Sequence, residues 1–390
     1  MRLSFDIDNI ITELAVVVTV LSFSPNNAIA NICEMIMYAL WGFVIILKIC
    51  QQNFRVDNFA KGLIVFYLFW YALTQILYAL EIYPSAGLGV VSYLPFCIIF
   101  YVVGMNYRLE KDDAVKRLVR AFVIGQIFLL VTLLPQLDAI QSDFYQYSAK
   151  NQMGQMLGIA VVFELLILNE SYNNIFKKVF LWICSGFSLI ALLIIRSRTP
   201  LIGLIVVLVA QFIWKKNKKA LDYLYAACVV IVCAIAIIQL GGIPYLMDLF
   251  EIGTGASMND LTSGRGDHFG IALREFWRNP IVGIGGYAYV DNFVLNVLRC
   301  GGLLLGMVLI PAVYMKLFSN VSMARQKISL YDTRSDYGLV FRTLLCMSIF
   351  YFIISLMEGY PPLGPNTSVF FLWVIMGIGN KIKRDEAVVV

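Results

Sequence analysis

Long apolar runs alternate with short polar links along the whole chain. Many of the runs approach 20 residues, the length at which an α-helix crosses the hydrocarbon core of a bilayer. The pattern predicts an all-α polytopic membrane protein with about 12 transmembrane helices, arranged as a single integral membrane domain over residues 1–390. The predicted helices lie at about residues 9–24, 29–49, 60–80, 87–105, 118–135, 152–169, 177–195, 200–214, 221–240, 290–316, 338–357 and 366–380.

One predicted link, residues 241–289, is much longer than the others and contains its own amphipathic pattern. A helix is expected to begin at Ser263 or Asp267 and to end before the Asn279-Pro280 pair. Its apolar residues share one face: Phe269, Ala272, Leu273, Phe276 and Trp277. Arg274 and Arg278 lie on the other face. Such a helix is typical of a segment that lies on a bilayer surface, as a simple anchor, or over a cavity.

Composition supports the membrane assignment. Hydrophobic residues make up 60% of the chain and charged residues 14%, and the mean hydropathy is +0.79. The first apolar run is expected to remain as a span rather than to be cleaved as a signal peptide, because Asp6, Asp8 and Glu13 replace the usual basic start. With one histidine and eight cysteines placed mostly inside apolar runs, we expect no metal site and no cofactor.

The distribution of positive charge predicts the orientation. With the N-terminus in the cytoplasm, 23 of the 30 Lys and Arg residues fall in inner loops, and the remaining seven face outward. This asymmetry places both termini in the cytoplasm. The outward residues are Lys150, Arg196, Arg198, Arg265, Arg274, Arg278 and Arg299. A net charge of +5 that is concentrated in short loops reports topology and does not indicate a nucleic-acid partner.

Six of the seven outward cations are arginines, the residue suited to bidentate binding of phosphate. They suggest an anionic, amphiphilic ligand such as a lipid diphosphate. The alternative is that these side chains reach toward lipid headgroups from the ends of spans. Gly283, Gly285 and Gly286 either bring the backbone close to a neighbouring group or turn the chain into the next span. The segment GIGGYA precedes a span, so a dinucleotide-binding interpretation is weak.

Four segments, in order, resemble one family. LIIRSRTPLIGLIVV (193–207) resembles the Ser-Arg-Thr span junction of the O-antigen ligase and O-antigen or capsule polymerase superfamily. TSGRGDHFGIALREFWRNPIVGIGGY (262–287) resembles its outer loop, and YSAKNQMGQMLGIAVV (147–162) its upstream Lys-Asn segment. VDNFVLNVLRCGGLLLG (290–306) resembles its His-Asn segment, with Asp291 where the ligases have histidine. Glu358 precedes the last span, as in the family.

The resemblance implies a GT-C-like fold and a glycosyltransferase that uses no nucleotide sugar and no cofactor. The donor would be a glycan linked to undecaprenyl diphosphate, and the acceptor another lipid-linked repeat unit. The protein would polymerise repeat units of O-antigen or a related polysaccharide at the periplasmic face of the bacterial inner membrane. Membrane lipids would be its other partners, and a chain-length regulator is a further possible one. No nucleic acid is expected.

The resemblance and the charge pattern together nominate site residues. The catalytic candidates are Asp291, Glu358 and His268, with Asp291 first because it takes the position of the family's histidine. The candidates for binding the diphosphate are Arg196, Arg198, Arg265 and Arg278. Those for binding other parts of the substrates are Lys150, Asn151, Arg274 and Asn292.

Two alternatives stay open at this stage. The first is an O-antigen ligase, which carries out the same chemistry with lipid A core as the acceptor and which the missing histidine disfavours. The second is a transporter or flippase for a lipid-linked sugar. Such transporters often show paired halves, and no duplication of that kind is visible in the sequence.

Overall fold

The structure is a computed structural model, and it describes most of the chain. The described residues are 7–50, 54–109, 113–136, 150–170, 175–195, 197–214, 265–286, 289–331, 335–364 and 367–389. Within those ranges, the side chains of residues 169, 170, 214, 265, 367 and 387–389 are not described.

The described residues form helices joined by links, with no strand among them, so the prediction of an all-helical protein is confirmed for this part of the chain. The helices are α1 (Ile7–Leu21), α2 (Asn27–Ile49), α3 (Asn58–Ala79), α4 (Leu94–Met105), α5 (Ala114–Leu133), α6 (Lys150–Glu170), α7 (Ile175–Ile194), α8 (Arg198–Trp214), α9 (Arg265–Arg278), α10 (Phe293–Ile328), α11 (Asp336–Ser355) and α12 (Thr367–Val389). Short 3₁₀ turns, Gly89–Tyr93 and Leu134–Gln136, precede α4 and follow α5.

Seven of the described helical segments are long and apolar enough to cross a membrane, which agrees with a polytopic membrane protein. The fourth predicted span differs from expectation, because Gly89–Tyr93 forms a 3₁₀ turn and only Leu94–Met105 is α-helical, with Pro95 in its first turn. The tenth continues to Ile328, beyond the predicted end at residue 316. The ninth, at residues 221–240, lies outside the described residues, and a total of twelve stays a prediction.

Hydrogen bonds made by the links and by the start of α1 group the links at two ends of the bundle. At one end, here called the site end, the Tyr83 hydroxyl donates to the Val282 carbonyl, and Asn292 Nδ2 donates to the Leu356 carbonyl at 2.9 Å. At the opposite end, Asn9 Nδ2 donates to the Arg108 carbonyl at 2.9 Å. The links that follow α3, α9 and α11 therefore lie at the same end of the bundle, as expected when successive spans run antiparallel. That the site end faces outward is the prediction from the charge count.

Glycines decide how closely some helices pack. A Cβ on Gly104 of α4 would lie 2.0 Å from the Val374 carbonyl oxygen of α12, and a Cβ on Gly377 would lie 2.1 Å from the Tyr101 carbonyl oxygen. The two backbones are thus in direct contact. Small residues permit this approach in membrane proteins, where packing and not water exclusion holds helices together.

Helix α10 is interrupted at Gly302, whose backbone is non-helical with φ 58° and ψ −154°. The link before the helix supplies the hydrogen bonds that the break removes. Leu303 N donates to the Pro280 carbonyl at 2.8 Å and Leu304 N to the Ile281 carbonyl at 3.0 Å. The glycine-rich segment therefore packs against the break in α10. This contact accounts for its glycines, and no nucleotide ligand is needed to explain them.

The first part of α10, from Phe293 to Gly301, is held by the same segment. Ile284 N donates to the Arg299 carbonyl at 2.9 Å, and Gly285 N donates to the Cys300 carbonyl at 3.0 Å. Both Gly283 and Gly285 have positive φ, 70° and 87°. Helix α10 thus begins, at the site end, with a short helical segment that Gly302 separates from the rest of the helix.

We expect Gly302→Ala to destabilise the fold by about 2–4 kcal/mol, because its φ/ψ region is costly for other residues and a Cβ cannot be accommodated. That Cβ would lie 2.4 Å from the Ile281 carbonyl oxygen. Thermal unfolding of the detergent-purified protein measures the change. Gly186→Ala, where a Cβ meets nothing within 4 Å, is the control and should be neutral. Equal unfolding temperatures for both variants would contradict the interlocked arrangement.

The amphipathic helix predicted in the long link exists as α9, which begins at Arg265, between the two predicted starts, and ends at Arg278. Ala272 is buried, and Glu275 pairs with Arg299 of α10, so this side of α9 packs on the bundle. Leu273 and Trp277 on the adjoining side are 43% and 72% exposed. Residues 241–264, the first part of the predicted loop, lie outside the described residues.

Candidate functional site

A buried carboxylate lies at the centre of the site end. Glu358 follows α11 by three residues, and its side chain is only 4% exposed. Its Oε1 accepts a hydrogen bond from Asn151 Nδ2 at 2.8 Å, and its Oε2 accepts one from the Tyr289 hydroxyl at 3.3 Å. Two neutral donors thus hold this carboxylate in one orientation, as a buried ionisable group requires.

Asn151 lies in the first turn of α6 and connects Glu358 to the junction between α7 and α8. Its Oδ1 accepts a hydrogen bond from Ser197 Oγ at 3.0 Å. Ser197 packs against Gly154, where a Cβ would lie 2.8 Å from the Ser197 Cβ. The glycine one turn after Asn151 therefore lets the junction approach α6 closely enough for the hydrogen bond to form.

The arginines that flank Ser197 were predicted to bind the diphosphate. Arg198 is the first residue of α8 and is half-buried. Because its neighbour Ser197 bonds Asn151, the backbone carries Arg198 next to the Glu358 cluster. Lys150, the first residue of α6, adjoins Asn151 and is half-buried. Arg196 lies outside the described residues.

Tyr289 connects Glu358 to Asp291. Its hydroxyl accepts a hydrogen bond from Gly359 N at 3.1 Å while donating to Glu358, and Asp291 is close enough to hydrogen-bond the same hydroxyl. Desolvation, together with the negative charges of Glu358 and Asp291, raises the pKa of the Tyr289 phenol well above its usual range. Tyr289 is therefore a neutral donor, and the two carboxylates share one polar neighbour.

The short helix at the start of α10 completes the site end. Asn292 caps it, with Oδ1 accepting from Leu295 N at 2.9 Å. One turn later, Asn296 Nδ2 donates to the Gly359 carbonyl at 2.9 Å. Both amides tie α10 to the segment that carries Glu358. The side chain of Asn292 thus has a clear structural role, and its prediction as a substrate-binding residue stays a prediction.

Arg299 differs from the other predicted outward arginines, since it pairs with Glu275 of α9 and donates to the Tyr289 carbonyl at 3.2 Å. It therefore links α9, α10 and the segment before α10. With a side chain that is only 11% exposed and is held in an ion pair, it is a structural cation and not a residue reaching toward headgroups.

The remaining candidates lie on α9. His268, Arg274 and Arg278 are exposed, and no hydrogen bond or ion pair joins them to Glu358 or Asp291 within the described residues. Arg265 is the first residue of the helix, but its side chain is not among those that the structure describes. The structure thus joins Asn151 to Glu358 directly and Asp291 to Glu358 through Tyr289, and it leaves the α9 candidates exposed.

Sequence reasoning missed Ser197 and Tyr289. For Ser197 a signal existed, because it lies between the two arginines that drew attention to the junction. For Tyr289 there was none, since an aromatic residue at the start of a span is most often an interfacial anchor. Its role appears only when Glu358, 69 positions along the chain, is brought within reach of its hydroxyl.

A comparison with known families gives one match. Residues 183–310 match the family model described as O-antigen ligase. This part of the chain is similar to the O-antigen ligase/polymerase superfamily. No curated protein matches the chain.

The match runs from α7 through α8 and α9 into α10, so it contains Ser197, Arg198 and Tyr289. Asn151 and Glu358 lie outside the matched range. The hydrogen bonds Ser197–Asn151 and Tyr289–Glu358 therefore join residues within the matched region to two residues beyond it. Members of the superfamily are glycosyltransferase-like enzymes that act as polymerases or ligases.

Proposed function

We propose that this protein polymerises oligosaccharide repeat units carried on undecaprenyl diphosphate, at the outer face of the bacterial inner membrane, with both termini in the cytoplasm. The observation that carries the proposal is the cluster of Asn151, Tyr289, Asp291 and Glu358 beside the junction that bears Arg198. In this proposal a carboxylate of the cluster accepts the proton of the acceptor hydroxyl, and Arg198 neutralises the departing phosphate. The membrane-linked substrates and the surrounding lipids are the partners, with a chain-length regulator as a further candidate.

In the proposed reaction, the terminal sugar hydroxyl of one lipid-linked unit attacks the anomeric carbon of the glycan on another. The bond from that carbon to the diphosphate oxygen breaks, and undecaprenyl diphosphate leaves. A general base takes the hydroxyl proton. Asp291 suits this role because it is half-buried and reachable, whereas Glu358 is nearly enclosed. Glu358 then acts as a positioning residue that holds Tyr289 and Asn151.

Negative charge develops on the diphosphate as it leaves, so cations placed there stabilise the transition state more than the bound substrate. Arg198, at the junction beside Asn151, is the described residue best placed for this role. Arg196 and Arg265 remain candidates from the sequence, with Arg278 next. Lys150 and Arg274 are proposed for other parts of the substrates.

A ligase is the second candidate, because the matching family model is described as O-antigen ligase. Polymerisation is favoured by the position of the chain's one histidine. His268 is exposed on α9 and makes no hydrogen bond within the described residues, and Asp291 stands where the ligases carry histidine.

A reconstituted assay decides between the two reactions. The purified full-length protein is mixed with lipid-linked repeat unit alone, and the products are separated by size. A ladder of products supports the polymerase. Activity that begins only after lipid A core is added supports the ligase, and no reaction with either acceptor rejects both.

We expect chelators to leave the activity unchanged. Among the described residues, no group of three or more His, Cys, Asp or Glu side chains is placed to hold a metal ion. Turnover in excess EDTA should equal turnover in buffer. Loss of activity that added Mg²⁺ or Mn²⁺ restores would contradict the proposal that arginines, and not a metal, neutralise the leaving group.

A further inference from the structure

Three tyrosines form an aromatic cluster at the edge of the Glu358 site. The rings of Tyr289 and Tyr360 are stacked, with centroids 4.9 Å apart and planes 29° from parallel. Tyr93 meets Tyr360 edge-on at 5.3 Å. Tyr93 and Tyr360 are half-buried, while Tyr289 is 42% exposed. Tyr360 thus supports one face of the Tyr289 ring.

The Tyr289 ring is fixed at both ends. Its hydroxyl is bonded to Glu358 and to Gly359 N, and its backbone carbonyl accepts from Arg299. This distinguishes it from a tyrosine on the apolar surface such as Tyr78 of α3. Tyr78 is similarly exposed at 49%, and its hydroxyl makes no hydrogen bond within the described residues. An exposed aromatic ring held this rigidly is a preformed surface, since little side-chain entropy remains to be lost on binding.

The chemistry around the ring suits a sugar. A pyranose ring has an apolar face of C–H groups and a polar edge of hydroxyls, so it binds where an aromatic face adjoins hydrogen-bonding groups. Tyr289 offers such a face. Asp291 lies beside its hydroxyl and offers a carboxylate for the sugar's edge. A lipid tail would not need this carboxylate, and a phosphate would be repelled by it.

We propose that Tyr289 is the platform on which the terminal sugar ring of the acceptor stacks, with Tyr360 as its support. Stacking there places a hydroxyl of that ring at Asp291. This assignment rests on the proposed polymerase function, because it takes the acceptor to be a glycan. It makes Tyr289 a positioning residue that sets acceptor affinity.

Binding is measured without turnover. The probe is the free oligosaccharide released by mild acid from the lipid-linked repeat unit of the producing strain. Saturation-transfer NMR with the full-length protein in nanodiscs reports which sugar protons contact it. Tyr289→Phe keeps the ring but loses the hydrogen bonds that fix it, so it should bind only slightly more weakly than wild type, whereas Tyr289→Leu should bind about tenfold more weakly. Tyr78→Leu is the matched control and should bind normally.

Kinetics provide the second readout. Tyr289→Leu should raise the KM for the acceptor about tenfold with a smaller change in kcat, because uniform binding is lost. If Tyr289→Leu does not fold, wild-type protein deuterated everywhere except at tyrosine rings replaces it. Saturation transfer to the C–H face of the sugar should persist in that sample, and its absence overturns the proposal.

Two further outcomes overturn the platform: equal binding by Tyr289→Leu and wild type, or equal loss in the Phe and Leu variants, which would assign the effect to the hydroxyl. The proposed reaction is tested independently of the platform. If lipid-linked repeat unit gives no polymer while sugar binding still depends on the Tyr289 ring, the polymerase is rejected and the platform stands. A polymer made by Tyr289→Leu with an unchanged acceptor KM rejects the platform alone.

Discussion

Asp291→Asn is expected to lower kcat by about 10²- to 10⁴-fold, the usual contribution of a general base. The amide has nearly the same shape and can still accept a hydrogen bond, but it cannot take the proton of the acceptor hydroxyl. Acceptor KM should change much less, because the Tyr289 ring and the Glu358 cluster remain in place. Steady-state rates with purified protein and lipid-linked repeat unit measure both constants.

The control for this variant is Glu81→Gln, which neutralises a different carboxylate, exposed at the same end of the bundle. It should leave kcat unchanged. Glu358→Gln separates the two carboxylates: as a positioning residue, Glu358 should affect acceptor KM as well as kcat. Unchanged rates in Asp291→Asn, with loss of turnover in Glu358→Gln, would move the role of base to Glu358.

Arg198→Ala is expected to lower kcat by about 10²- to 10³-fold, as removal of one electrostatic donor to a developing anion does elsewhere. Arg198→Lys should recover only part of the activity, because lysine keeps the charge but loses the bidentate geometry that suits phosphate. Arg265→Ala is expected to act in the same direction. Polymer length on gels and the rate of undecaprenyl diphosphate release report the effect.

Arg325→Ala is the matched control, since Arg325 is an exposed arginine in the last turn of α10, at the opposite end of the bundle. It should produce polymer of normal length. All variants must be present in the membrane in similar amounts, which immunoblotting of membrane fractions checks. Normal polymer from Arg198→Ala would show that this guanidinium does not bind the leaving group.

Much of the fold could be predicted because its signals are local. The apolar runs gave the positions of most described helices to within a few residues, and the pattern in the long link predicted α9 and its end before Asn279-Pro280. The predicted helices differ from the structure where the backbone is irregular. The 3₁₀ turn before α4 and the break at Gly302 depend on contacts with distant links, and apolar periodicity does not record them.

The candidate site was only partly accessible to the same reasoning. Asn151, Asp291 and Glu358 were nominated from a resemblance. The structure joins Asn151 to Glu358 and places Glu358 and Asp291 at the Tyr289 hydroxyl. Arg299 was grouped with the outward arginines, and only its pairing with Glu275 reveals a structural role. A charge in a loop predicts which side of the membrane it occupies, but it does not predict its partner.

The sequence by itself determined a helical membrane protein, the alternation of its spans and the amphipathic character of α9. These properties follow from hydropathy and charge within single segments. Only the tertiary structure decided that Asn151 meets Glu358 across 207 positions and that Tyr289 lies between two carboxylates. The physical reason is that such meetings depend on how closely helices pack, and that distance is set by pairs of small residues and broken helices whose partners lie far away in the chain.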